Sequence, residues 1–135
     1  MTRYQEINET SIRVLVEKFY GEISLHDTLS PVFHQALNSE PDAWTNHINR
    51  MCDFWSSIML MSGKYKGTPL QAHHALPRFD LDLFDEWLVL FCAVAEDTHG
   101  QEAAQRFRIK SESIASSLRM GVSLARQREE ARLPE

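Results

Sequence analysis

Apolar residues along this chain return every third or fourth position, the spacing that lays them on one side of an α-helix. Ile12, Leu15, Val16, Phe19 and Ile23 form the first such stripe, with Asn8 or Thr10 placed to cap it. His26, Asp27 and Thr28 break the pattern. A short segment from Leu29 to Leu37 follows, with Pro31 suited to an early helical turn. A longer helix is predicted to start near Ser39 to Asp42 and to stop near Ser62-Gly63. Its apolar face carries Trp44, Ile48, Met51, Phe54, Trp55, Ile58 and Met59.

Gly63 to Pro69 is rich in turn formers, and Pro69 can open a helix behind Thr68 as cap. That helix must be short, because Pro77 disfavours helical geometry at Leu76. A strongly apolar helix is predicted from about Leu81 to Thr98, stopped by His99-Gly100. The last begins after Gly100 and carries Ala104, Phe107, Ile114, Ala115, Leu118 and Val122. Beyond about Ala125 the chain turns Arg- and Glu-rich and is expected to fray into solvent. No alternating β-branched run bounded by turns reads as a strand. The expected fold class is all-α: one domain over residues 1–135, with a core from about 10 to 122 and a charged tail from about 125.

Composition narrows the function more than the fold. A net charge of −5 gives no electrostatic reason to expect nucleic acid as partner. No apolar run approaches the ~18 residues needed to cross a bilayer, and Met1 to Asn8 is too polar for a signal peptide. A soluble, cytoplasmic protein is expected. Cys52 and Cys92 lie far apart with no CxxC motif, and read as two small buried hydrophobes. No nucleophile motif, glycine-rich phosphate loop or kinase signature supports covalent or phosphoryl-transfer catalysis.

Three helix-borne positions hold candidate chemistry: Tyr20, His47, and the His73-His74 pair. His47 shares a face with Trp44, Met51, Phe54, Trp55 and Ile58. A histidine in so apolar a stripe needs a polar partner or a ligand, although a satisfied core histidine fits the spacing as well. His73 and His74 sit between Pro69 and Pro77 and point about 100° apart. Periodicity does not choose between them: His73 lies three residues from Leu70 and from Leu76, and His74 lies four from Leu70. Zinc would want three or four ligands, and the chain has neither HExxH nor histidines paired at i, i+3 or i+4. Haem iron needs one axial histidine and an apolar slot. Three tryptophans, seven phenylalanines and five methionines can supply that slot, or simply fill a core. With no CxxCH motif, any haem would be held without thioether links.

Several short fragments, in order, carry a resemblance over roughly residues 10–120. They are Phe19-Tyr20, Leu29-Ser30-Pro31-Val32-Phe33, Trp44-x-x-His47, Phe54-Trp55, Tyr65-x-Gly67-x-Pro69-Leu70-x-x-His73, Leu76-Pro77 and Phe84-x-x-Trp87-Leu88. Together they resemble the truncated haemoglobins, and most closely the third group, which lacks Gly-Gly pairs at helix junctions. Here Gly63 and Gly67 are separate. The resemblance implies a globin-like, truncated two-over-two helical sandwich around haem b, held non-covalently.

It also implies roles. His73 would be the proximal iron ligand, with His74 a bystander, and Phe33 would pack on the porphyrin face. Tyr20, His47 and Trp87 would line the distal side, where hydroxyl, imidazole and indole donors stabilise a diatomic ligand that gathers negative charge. Met51 and Phe54 would wall the pocket, while Arg50, and less strongly Lys64 and Tyr65, would face the propionates. The implied function is binding of oxygen, nitric oxide or other small haem ligands, with redox chemistry such as nitric oxide dioxygenation or peroxide turnover, fed by an unidentified reductase. Ligand sensing or storage without turnover stays open beside it, as does a six-coordinate resting state with His47 as second axial ligand. A monomer is expected.

Overall fold

The computed structural model describes residues 2–37, 41–74 and 78–132, with the backbone alone for 70, 71 and 74. Six helices lie among the described residues: α1 (Glu9–Ile23), α2 (Leu29–Leu37), α3 (Ala43–Leu60), α4 (Pro69–His74), α5 (Leu83–Thr98) and α6 (Gln101–Arg132). The all-α expectation holds, and predicted boundaries fall within two or three residues at most ends. The predicted start of the long helix at Ser39 and the stop at Leu76-Pro77 lie outside the described residues.

Local chemistry explains the ends. Asn8 caps α1: its side chain accepts from the Ser11 N–H while Ser11 Oγ accepts from the Asn8 N–H, a reciprocal box that satisfies two orphan donors. α3 closes at Met61, whose φ of 57° is the left-handed turn that ends many helices. α5 ends on extended His99 and Gly100 follows it. A Cβ there would run into the Gln5 side chain, which folds across the corner.

α1 buries Ser11, Ile12, Leu15, Val16, Phe19, Tyr20 and Ile23 against α3 and α5. α5 and α6 pack antiparallel, joined through the His99-Gly100 corner and laced by Glu96–Arg108 at 2.9 Å and Asp82–Arg119 at 2.7 Å. α2 bridges α1, α3 and α5, and α4 lies on α6. At the centre Trp55 stacks on Phe91 with ring centroids 4.6 Å apart, and Trp87 stacks on the other side of Phe91 at 5.3 Å. Phe19 and Phe107 close this column edge-on. Cys52 and Cys92 are free and buried.

Two features depart from the sequence expectation. The charged tail does not fray at Ala125: α6 continues to Arg132. Arg, Gln, Glu and Ala are good helix formers, and the last turns have partners. Arg126 lies over the Phe79 ring at 5.0 Å, and Arg78 pairs with Glu130 at 2.9 Å. The tail thereby braces Arg78 and Phe79, just ahead of α5. The N-terminus adds a second feature, an isolated parallel bridge between Tyr4 and His99. The Tyr4 N–H donates to Thr98 O and Gly100 N–H donates to Tyr4 O. His99 is fully buried between the Tyr4 and Phe107 rings, its Nδ1 beside Thr98 Oγ1 and its Nε2 without a partner. No helix of the described residues is long and apolar enough to cross a membrane.

Candidate functional site

α1, α2 and α3 converge on a cluster of rings. Tyr20, near the end of α1, places its hydroxyl 3.0 Å from His47 Nε2 on α3. The two rings meet edge to face, 5.0 Å apart. Phe33 of α2 lies 5.8 Å from Tyr20 and 6.2 Å from His47, and Trp44 covers Tyr20 from the start of α3. Burial raises the Tyr20 phenol far above its ordinary value, so it stays protonated. His47 is pushed down to about 4, by burial first and then by electrostatic interaction with Arg50 and His73. It is therefore a neutral imidazole at pH 7, paired with a neutral phenol.

That depression has a measurable consequence. An unfolded histidine takes up its proton near pH 6.5, whereas His47 in the fold resists until about 4. Between those values the unfolded state binds more protons and is favoured, so stability contributed by neutral His47 is lost as pH falls through that window. Denaturant titrations of the ligand-free chain from pH 7 to 4 should show this loss, and His47→Gln should reduce it, buried His99, also held below its ordinary value by burial, accounting for part of the remainder. An unchanged slope would mean that His47 is not held neutral.

Elsewhere in the fold, α4 carries His73. Its Nδ1 lies 2.7 Å from the carbonyl oxygen of Pro69. A carbonyl only accepts, so Nδ1 must carry the proton and Nε2 is left as a bare lone pair. Phe84, buried at the start of α5, lies against the His73 ring at 5.8 Å. The His74 side chain, and Leu76, lie outside the described residues.

The third part is an edge. Tyr65 stands perpendicular on Phe54 at 5.2 Å, and the Arg50 guanidinium lies over its ring at 5.8 Å. Arg50, Asp53, Lys64, Tyr65, Lys66 and Gly67 surround a surface cavity of about 240 Å³. A Cβ at Gly67 would meet the Tyr65 hydroxyl and the Arg50 guanidinium, which would have to shift to admit it.

Of the residues singled out from sequence, Tyr20, His47 and Phe33 come together, as do Arg50, Phe54 and Tyr65. Met51 packs half-buried on the core beneath them. Trp87 reaches the Tyr20 side through Phe19, which touches both rings. Sequence reasoning gave no site role to Phe84 or Trp44. Phe84, eleven residues after His73, becomes its neighbour only through the turn into α5.

These residues fit haem. Among the described residues, His73 engages Pro69 O through Nδ1 and offers Nε2 on the other side of its ring, which suits a single axial ligand. Among the described residues no three His, Cys, Asp or Glu side chains gather as a metal cage. Phe33, Ile48, Met51, Phe54, Leu83 and Trp87 are apolar yet only partly buried, surface that an apolar plate would cover.

An all-helical fold that presents the His73 imidazole, with half-buried apolar rings at its surface, has the parts of a haem globin. No family model matches the chain. It is 31% identical over 114 residues to the group 3 truncated hemoglobin ctb of Campylobacter jejuni, covering 84% of this chain and 90% of that protein. The crystal structure of group III truncated hemoglobin from Campylobacter jejuni matches with a TM-score of 0.85 at 29% identity, covering 90% of this chain and 95% of that one. The chain belongs to the group 3 truncated haemoglobins.

Proposed function

We propose that this globin holds haem b non-covalently through His73 Nε2 and uses a polar distal pocket for redox chemistry of small ligands, dioxygen and nitric oxide foremost. The observation that carries this reading is the His73 Nδ1–Pro69 bond, which fixes the ring and leaves Nε2 available. Phe33 packs on the porphyrin face, and Met51 and Phe54 wall the pocket. Arg50 and Tyr65, with Lys64, face the propionates, since a guanidinium, a phenol and an ammonium all bind carboxylates. When bound, the haem supplies a redox-active iron that takes up diatomic molecules.

The chain's own part is to hold and polarise what enters. Tyr20 remains protonated and donates; His47 remains neutral and either donates or accepts. Trp87 adds an indole N–H from α5. Donors aimed at a ligand that gathers negative charge slow its release, and slow release favours conversion over carriage. The Tyr20 hydroxyl also occupies His47 Nε2, the atom a second axial ligand would need. That supports an open sixth position over a bis-histidine resting state. The protein acts as a cytoplasmic monomer, with electrons from a separate reductase.

Absorption spectra of the ferric, ferrous and carbonyl forms test the first half. A Soret band, a pyridine haemochrome of haem b and a five-coordinate ferrous form are expected, and a low-spin bis-histidine ferrous spectrum would overturn the open-site reading. Stopped-flow mixing of the oxygenated protein with nitric oxide tests the second. Stoichiometric nitrate with rapid oxidation to the ferric form supports turnover; simple displacement with no nitrate leaves sensing or storage.

A further inference from the structure

The segment between α3 and α4, residues 61–67, has neither helix nor strand to shape it. It also includes two left-handed residues, Met61 at φ 57° and Gly63 at φ 71°. Nevertheless it carries Lys64 and Tyr65, two of the groups at the pocket edge. What fixes it is a set of hydroxyls on the last turns of α3. Ser57 Oγ donates to Asp53 O and accepts from the Tyr65 N–H, at 2.9 Å each. Ser56 is completely buried, and its single hydroxyl proton goes to the Glu9 carboxylate, in the first turn of α1.

The remaining proton assignments follow. Ser62 Oγ lies 2.7 Å from Ser56 Oγ, whose proton is already given away, so Ser62 must donate to it. Ser62 Oγ lies within 3.4 Å of the Lys64 N–H. The Lys64 ammonium returns to Glu9 at 3.2 Å. Carboxylate, two hydroxyls, one backbone N–H and one ammonium thus close a ring that runs from α1 through α3 into the loop. Glu9 is held below the usual carboxylate range, chiefly by the Ser56 hydrogen bond.

We infer that Ser56, with Glu9 and Ser62, is a positioning latch for haem retention, tying the α3–α4 loop to the start of α1 so that Lys64 and Tyr65 stand ready at the haem edge. This rests on the reading above that Lys64 and Tyr65 face the propionates. The three latch residues act through the loop. Ser56 is the member that faces both the helix and the loop from inside the protein, and as a fully buried hydroxyl it depends on those bonded partners.

Two measurements test it, one of them free of haem. In the haem-free protein, amide exchange at Lys64 and Tyr65 should accelerate in Ser56→Ala while α1 and α5 amides stay protected. In the loaded protein, transfer of haem to an apoglobin trap should quicken by about threefold to tenfold, the worth of one to two hydrogen bonds. In a Lys64→Ala/Tyr65→Ala background the same Ser56→Ala change should add less than about twofold, because the groups through which it acts are gone. Equal acceleration in both backgrounds, or unchanged exchange at Lys64 and Tyr65, would overturn the latch. If the double variant itself keeps haem as the wild type does, the propionate reading fails, and the exchange experiment still judges the latch. Should Ser56→Ala not fold, Ser62→Ala and Glu9→Gln are solvent-facing substitutions that must show the same pattern.

Discussion

His73→Ala should leave a folded protein that no longer keeps its haem. Substitutions that merely disturb the orientation of a metal-bound histidine cost about 10- to 100-fold in affinity. Removing the ligand itself should therefore cost more than about 100-fold. Spectrophotometric titration of the haem-free variant, following the Soret band, measures this directly. Added imidazole should restore part of the binding by filling the vacated space beside Phe84. His74→Ala is the control and should bind haem as the wild type does. If the two variants behave in the opposite way, the proximal ligand is His74, and the Pro69 bond to His73 is only a helix-end contact.

Tyr20→Phe carries the second large effect. Its hydroxyl is buried, protonated and 3.0 Å from His47, so one substitution removes a donor and releases its partner. A hydrogen bond to a charged acceptor contributes roughly 1.5–3 kcal/mol, which corresponds to about 10- to 100-fold faster dioxygen release. Carbon monoxide displacement of dioxygen in a stopped-flow instrument reads the rate. Trp87→Phe should have the smaller effect, because Trp87 meets the Tyr20–His47 pair only by way of Phe19. An unchanged rate in Tyr20→Phe would remove the phenol from the distal network.

The sequence carried the helices well because their signals are local. Asn8 before a three-and-four stripe, Pro69 at the start of a short helix and Gly100 after a long one each act within a few residues. What it could not carry depends on groups far apart in the chain. The Ser11 side of the capping box was still local, but the extension of α6 to Arg132 depends on Arg78 and Phe79, about fifty residues earlier. Hydrophobic pattern marks such a tail as solvent-exposed, which it is, and says nothing of whether it stays helical. The site was legible in the same uneven way. Periodicity left His73 and His74 level; the Pro-Leu-x-x-His pattern of the resemblance chose His73, and the Nδ1–Pro69 bond is compatible with that choice. Ser56 resembled any small polar residue near a helix end, because its role exists only once Glu9 and Ser62 have been brought to it.

The bridge between Tyr4 and His99 bears on how long a folded molecule lasts. Its hydrogen bonds join residues roughly ninety positions apart, so closing that loop pays only after α1, α5 and α6 have already packed. Contacts that form so late contribute little to the rate of folding and are lost early on the way out. Their contribution falls on the unfolding step. Three residues at the extreme N-terminus, Arg3, Tyr4 and Gln5, therefore act as a kinetic clasp: trimming them should shorten the lifetime of the native state far more than it slows its formation.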